Sequence, residues 1–121
     1  MKKNILEVDS VMKHFDHKLV ISDVYLKCET NNIIGLLGRN GSGKSTLLKI
    51  IFGLISAENK CIRIDGIVKN KTADVINEIS YLHQDQFIPS YLSVKKAISL
   101  SIDSLVMKDF LDDYQIQSIL H

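Results

Sequence analysis

The chain has 121 residues, 45% of them hydrophobic and 24% charged, which suits one small globular domain with a single core. Its formal net charge of +1, from 15 Lys and Arg against 14 Asp and Glu, gives no support for a general nucleic-acid or polyanion surface, so we expect no nucleic-acid partner. Cys28 and Cys61 form no metal or disulfide pattern, and the absence of a signal peptide or a run of ~20 apolar residues predicts a cytosolic chain.

The first part of the chain predicts strands. Residues 4–9 alternate apolar and polar side chains, and residues 19–27 contain a second alternating, β-branched segment, as half-buried strands do. Asn31-Asn32 is a turn signal. Residues 33–37 (Ile-Ile-Gly-Leu-Leu) form a continuous apolar run, which is typical of a strand covered on both faces in a parallel sheet.

A helix is predicted over residues 44–52, directly after a glycine-rich loop. Leu47, Leu48 and Ile51 fall on one face of that helix, as the helical period requires. Gly53 is well placed to end it, because glycine readily adopts the left-handed conformation of a C-terminal cap.

The remainder of the chain predicts further strands and helices. Residues 60–69 alternate around Asp65-Gly66, a strong hairpin-turn pair. Residues 79–83 predict a strand that ends at Gln84. Strands before and after a helix indicate an α/β fold. Helices are predicted over residues 72–78, from the N-cap Ser93 to about residue 104, and from about residue 106 to residue 119.

The loop from Gly38 to Ser45 (Gly-Arg-Asn-Gly-Ser-Gly-Lys-Ser) matches GxxxxGK[ST] at every fixed position. This pattern, between a buried-type strand and a helix, is typical of a phosphate-binding P-loop. Its glycines allow backbone conformations that turn successive N–H groups onto phosphate oxygens. The N-terminus of the following helix adds its dipole and its unpaired donors to the same anion.

The motif also assigns roles to side chains. Lys44 reaches the β- and γ-phosphates, Ser45 offers its hydroxyl to Mg²⁺, and Thr46 adds a contact to the α-phosphate. The sequence therefore predicts a nucleotide-binding site. Its expected binding residues within the loop and helix are Gly38, Asn40, Gly41, Ser42, Gly43, Lys44, Ser45 and Thr46.

The segment from Ile34 to Leu48 resembles the P-loop of ATP-binding-cassette (ABC) ATPases, which favour an Asn-Gly-Ser/Ala-Gly core followed by Ser-Thr-Leu. Residues 62–67 (Ile-Arg-Ile-Asp-Gly-Ile) resemble the family's short strand and turn after the P-loop helix. Residues 79–84 (Ile-Ser-Tyr-Leu-His-Gln) resemble its strand ending in the Q-loop glutamine, and residues 12–15 (Met-Lys-His-Phe) align with its A-loop.

The resemblance covers nearly the whole chain but only the first half of the family's domain. It implies an α/β P-loop NTPase, an incomplete ABC-ATPase core with an antiparallel β part and the start of the helical subdomain. Residues 1–88 would form the β-rich part and the P-loop core as far as the Q-loop. Residues 89–121 would begin the helical subdomain.

The same resemblance implies roles for two further residues. The aromatic ring of Phe15 would stack on adenine. Gln84 would help to hold Mg²⁺ and the attacking water, which makes it the expected catalytic residue, and it would couple the site to a membrane partner. The implied protein is an ATP-binding subunit of an ABC transporter, or a fragment of one, with ATP and Mg²⁺ as cofactors.

The implied partners are a transmembrane transporter subunit and a second ABC ATPase subunit. The implied location is cytoplasmic, peripheral at the inner face of the membrane. Import and export are both compatible with the sequence.

Several family motifs are absent from these 121 residues. There is no Leu-Ser-Gly-Gly signature, no apolar run ending in Asp-Glu (Walker B and the catalytic glutamate), and no switch histidine. Phosphoryl transfer depends on positioned charge and an oriented water, so we expect this chain to bind ATP without hydrolysing it. Unpaired apolar strand edges also predict self-association.

Three other classes of protein share the P-loop. A small GTPase needs NKxD and DxxG motifs, but Ala73 replaces the required Asp in Asn70-Lys71-Thr72-Ala73, and no DxxG occurs. A small nucleotide kinase needs lid arginines, whereas Arg39 and Arg63 are the only arginines present. A non-enzymatic nucleotide-binding or regulatory module stays open as the alternative, and an ATPase assay would separate it from an ATPase.

Overall fold

A computed structural model describes residues 2–85 and 88–101 of the chain. Its contacts divide the protein into two compact units, Met1–Tyr81 and Leu82–His121. The boundary between residues 88 and 89 that the resemblance implies stays a prediction. Within the described ranges, no helix is long and apolar enough to cross a membrane.

The first unit is built on a four-stranded antiparallel sheet with the order β2-β1-β3-β4. The central strand β1 pairs with β2 along its length but with β3 only as far as the pair Met12–Asn59. The strands predicted over residues 4–9 and 19–27 are confirmed, and both are longer than predicted. The strands are β1 (Ile5–Phe15), β2 (Lys18–Glu29), β3 (Asn59–Ile64) and β4 (Ile67–Val68).

Both hairpins of this sheet close through two residues with positive φ, a geometry that matches the right-handed twist of the paired strands. Asp65 (φ 52°) and Gly66 (φ 80°) connect β3 to β4, which confirms the turn predicted from this pair. Asp16 (φ 46°) and His17 (φ 67°) connect β1 to β2. The Asp16-His17 turn contains no glycine, so the sequence gives no clear sign of it.

Helix α1 (Lys44–Phe52) has the predicted bounds, and Gly53 ends it with a φ of 92°. Its inner face is confirmed at Leu47 and Ile51, which are buried, but Ile50 is buried as well. Leu48 is 45% exposed and lines an apolar cavity together with Ile51. The core between α1 and the sheet includes Val8, Val11, Ile21, Leu47, Ile50, Ile51 and Ile62.

Two predicted strands do not form. Residues 33–37 and residues 79–83 have no strand pairing within the described part of the chain. Ile33 is fully exposed and Leu37 is 93% exposed. The apolar pattern is that of a buried strand, but a strand also needs hydrogen bonds to a neighbour. The prediction is wrong here because no described residue supplies that neighbour.

The unpaired segments border an apolar cavity of about 190 Å³. Leu36 comes from the first segment and Tyr81 from the second, while Leu48 and Phe52 face the cavity from α1. The rings of Phe52 and Tyr81 stack with their centroids 5.5 Å apart. The second segment is therefore attached to α1 by side-chain packing rather than by a sheet.

Two shorter helices complete the described structure. Helix α2 (Thr72–Val75) begins where predicted, but residues 76–78 form a turn instead of continuing it. Helix α3 (Val94–Ser101) begins after Ser93, whose Oγ accepts a hydrogen bond from the backbone N of Lys96 at 3.3 Å. This confirms the predicted N-cap. Residues 102–104 and the helix predicted over residues 106–119 lie outside the described residues.

Candidate functional site

The glycine-rich loop before α1 folds around the side chain of Lys44. The Lys44 Nζ donates hydrogen bonds to the carbonyl oxygens of Gly38 (2.6 Å) and Arg39 (2.8 Å), and to Ser42 Oγ (3.4 Å). The backbone N of Ser42 donates to the Arg39 carbonyl oxygen at 3.1 Å. The loop therefore surrounds an ammonium group with its own oxygen atoms.

Glycine is required at position 43, immediately before α1. Gly43 has a φ of 95°, a left-handed conformation that is costly for residues with a Cβ. A Cβ at this position would also lie 3.1 Å from Val20 Cγ1 and 3.3 Å from Ile21 Cγ1. Gly43 thus allows the end of the loop to pack closely against β2.

The start of the loop is equally tight. A Cβ on Gly38 would lie 2.7 Å from Ser42 Oγ, closer than non-bonded atoms approach. By contrast, Gly41 has a φ of 83° and open space around its Cβ position. A side chain at Gly38 would therefore require the Ser42 hydroxyl to move, whereas Gly41 is needed for its backbone conformation.

The N-terminus of α1 is suited to an anion. No side chain caps the helix, and its first turn contains no acidic residue. Its first backbone N–H groups have no partner within the helix, so they are available to an oxyanion together with the helix dipole. The Lys44 ammonium supplies a full positive charge beside them. Open donors, a cation and the lack of a carboxylate fit a phosphate group.

The other residues predicted for this site are placed around the same turn. Asn40 and Ser45 are exposed, and Thr46, in the first turn of α1, is half-buried. Within the described residues, no group of three or more His, Cys, Asp or Glu could hold a metal ion. The expected role of the Ser45 hydroxyl as a magnesium ligand stays a prediction.

Phe15 lies at the end of β1, immediately before the turn to β2. Its side chain is 43% exposed, and the Nζ of Lys13 lies over the ring at 5.1 Å from the centroid. Phe15 pairs with Lys18 at the start of β2, the strand whose Val20 borders Gly43. The hairpin that carries Phe15 and the phosphate loop therefore share one supporting strand.

Gln84 belongs to the second unit, where it is exposed and follows no strand. Its expected role at the magnesium ion stays a prediction.

The structure also brings forward one charged residue that no sequence motif indicates. Glu58, just before β3, accepts a hydrogen bond from the backbone N of His14 at 3.0 Å. Desolvation raises the pKa of Glu58. Hydrogen bonds from backbone N–H groups and the charges of Lys13 and His14 together have a larger, opposite effect, so the pKa lies below its ordinary value. Glu58 and His14 are 44 residues apart in sequence, so a local pattern could not reveal the contact.

Comparison with known proteins finds similarity to ABC transporter proteins. The family model described as ABC transporter matches residues 21–121. The ABC transporter ATP-binding protein YtrB of Bacillus subtilis (strain 168) is 32% identical over 118 residues, which cover 93% of this chain and 40% of YtrB. An uncharacterized ABC transporter ATP-binding protein of the same organism, YfmR, is 37% identical over 87% of this chain and 15% of its own length.

Two further comparisons extend this result. The galactose/methyl galactoside import ATP-binding protein MglA of Fusobacterium nucleatum is 35% identical over 69% of this chain and 17% of its own length. A solved structure of an ATP-binding subunit of an ABC transporter matches with a TM-score of 0.77 and 22% identity, over 96% of this chain and 52% of that one. The latter match shows that the fold is shared. This chain thus spans less than half the length of these curated relatives.

Proposed function

We propose that this chain, which belongs to the ABC transporter family, binds Mg-ATP through its phosphate loop as the nucleotide-binding part of a transporter's ATP-binding subunit. The observation that carries the proposal is the position of Lys44, whose ammonium lies within hydrogen-bonding distance of Gly38 and Arg39 at the uncapped start of α1. A cation and free N–H donors at one point favour a polyphosphate.

Different residues of the loop and of α1 would contact different parts of Mg-ATP. Lys44 would exchange its contacts with loop oxygens for contacts with phosphate oxygens, and the N–H groups from Gly41 to Ser45 would bind the same chain of phosphates. The hydroxyl of Ser45 would hold Mg²⁺, and Thr46 would contact the α-phosphate. When bound, Mg²⁺ neutralises phosphate charge and fixes the geometry of the chain. Phe15 would stack on the adenine ring.

Binding is the activity that we propose for the 121-residue chain, without hydrolysis. Turnover needs a carboxylate for the metal ion and an oriented water, and the sequence lacks the Walker B, signature and switch motifs. In a complete cassette, Gln84 would help to position Mg²⁺ and the attacking water. A non-enzymatic nucleotide-binding module is the alternative.

The family also supports a proposal about partners and location. Relatives such as the galactose/methyl galactoside import protein are named as import ATP-binding proteins. We therefore propose a transmembrane transporter subunit and a second ATP-binding subunit as partners, at the cytoplasmic face of a membrane. The exposed side chains of Ile33 and Leu37 favour self-association of the chain when those partners are missing.

Isothermal titration with Mg-ATP tests the proposed function. We expect binding by the wild-type chain and at least tenfold weaker binding by Lys44→Ala, since a charge-assisted contact to phosphate contributes about 1.5–3 kcal/mol. Lys49→Ala is the matched control, because Lys49 lies in the last turn of the same helix. Equal affinities of wild type and Lys44→Ala would contradict the proposal. An assay of phosphate release then separates an ATPase from a binding module.

A further inference from the structure

The end of β1 is held by Glu58, the residue immediately before β3. Beyond the pair Met12–Asn59, β1 has no further partner on β3. Glu58 forms the next hydrogen bonds to β1. Its backbone N donates to the Met12 carbonyl oxygen at 3.1 Å, and its carboxylate accepts from the His14 backbone N at 3.0 Å. A side chain therefore continues the hydrogen bonding where the strand pairing stops.

The same carboxylate faces the cation that covers Phe15. Glu58 Oε1 lies 4.0 Å from Lys13 Nζ, and that Nζ lies 5.1 Å from the centroid of the Phe15 ring. The Lys13 side chain is only 14% exposed, although it carries a charge. Lys13 is thus packed on one face of the ring, while Phe15 itself remains 43% exposed.

We propose that Glu58 is a positioning residue for base recognition, which fixes the ring of Phe15 so that its open face receives the adenine of a bound nucleotide. Glu58 acts in two ways, by holding the backbone of His14 next to Phe15 and by retaining the Lys13 ammonium on the far face of the ring. This inference rests on the proposed function, because it assigns a role in the same nucleotide site.

An exposed ion pair alone would not support this role, since such pairs contribute little to stability in water. The Glu58 side chain is 47% exposed. Glu58 differs from such a pair because it combines a backbone hydrogen bond at the end of a strand with contact to a shielded lysine that covers an aromatic ring. An ordered aromatic ring binds a base with a smaller loss of side-chain freedom than a mobile one does.

The test compares two ligands, ATP and inorganic tripolyphosphate, by titration in the presence of Mg²⁺. Tripolyphosphate reports on the phosphate loop alone, and the ratio of the two affinities reports on base binding. We expect Phe15→Ala to weaken ATP binding about tenfold, since stacking of a base on an aromatic ring has effects of this size. We expect Glu58→Ala to weaken ATP binding about three- to tenfold, as a fraction of that effect, and to leave tripolyphosphate binding unchanged.

Two further variants make the outcome specific. In the Phe15→Ala background, Glu58→Ala should cause no additional loss of ATP affinity, because its effect passes through the ring. Glu78→Ala is the matched control: it breaks another surface ion pair, with Lys69 at 2.9 Å, and should leave both affinities unchanged.

Three results would overturn the inference. They are an equal loss of ATP and tripolyphosphate affinity in Glu58→Ala, no loss of either, and additive losses in the double variant. Failure of the proposed function gives a different result, because wild-type protein would then bind neither ligand in a manner that depends on Lys44.

Discussion

The Lys44 ammonium lies 2.6 Å from the carbonyl oxygen of Gly38, so the side chain at the start of α1 reaches back across the whole glycine-rich loop. Lys44 therefore holds the backbone of the loop through hydrogen bonds to the carbonyl oxygens of Gly38 and Arg39. A bound phosphate would replace these acceptors at little cost in loop ordering, because the backbone is already arranged around the charge.

The two left-handed glycines of the loop should differ in their tolerance of a side chain. Gly41→Ala meets open space and should lower the free energy of unfolding by about 1 kcal/mol, the cost of a positive φ. Gly43→Ala adds contacts of 3.1 Å to Val20 and 3.3 Å to Ile21, so we expect a total loss of about 2–4 kcal/mol. Urea unfolding measures both values. Equal losses would show that Gly43 does not pack against β2 as described.

The contact between α1 and the sheet should dominate the stability of the first unit. Ile50 is fully buried against the sheet, so Ile50→Ala should lower the free energy of unfolding by about 2–5 kcal/mol. Ile67 is 62% exposed on β4, and Ile67→Ala should change the free energy of unfolding by less than about 0.5 kcal/mol. Chemical denaturation of the two variants makes the comparison. Similar losses in both would contradict the described core.

The unpaired segment at residues 33–37 should drive self-association. Ile33 is fully exposed in a run whose backbone lacks a strand partner among the described residues, and such edges recruit other chains. We expect Ile33→Lys to increase the monomer fraction in light scattering after size-exclusion chromatography. Ile67→Lys introduces the same charge on β4 and should have a smaller effect. A wild-type chain that stays monomeric at high concentration would refute this prediction.

Stability should depend on pH through Glu29. Hydrogen bonding to Lys3 and the charge of Lys3 lower the pKa of Glu29 below its ordinary value of 4.5, burial opposes this shift, and the charge of Lys27 adds to it. Because the folded-state pKa lies below the unfolded one, ionised Glu29 stabilises the fold above pH 4.5 and loses this effect as pH falls through the folded-state pKa.

Thermal melts of wild type and Glu29→Gln between pH 3 and pH 7 check this prediction. Above pH 4.5 the wild type should have a higher Tm than Glu29→Gln. Below pH 4.5 the difference in Tm between the two proteins should become smaller. A difference that is constant over the whole range would contradict the assignment.

Local sequence signals predicted the elements that depend on local interactions. The bounds of α1 and the turn at Asp65-Gly66 follow from a phosphate-loop motif and from glycine conformations, and the structure has both. Residues 33–37 and 79–83 carry the apolar pattern of buried strands, but pairing is a property of the neighbouring chain and not of the segment itself. The contact of Glu58 with His14 could not be predicted either, because the two residues are 44 positions apart in the sequence.

The most direct test of the account is a thermal melt of the 121-residue chain with and without Mg-ATP, repeated on Lys44→Ala. At a ligand concentration one hundred times Kd, binding should add about 2.7 kcal/mol of stability, a rise in Tm of several degrees for a domain of this size. We expect this rise in the wild type and its loss in Lys44→Ala. A cooperative melt that Mg-ATP leaves unchanged in the wild type would contradict it.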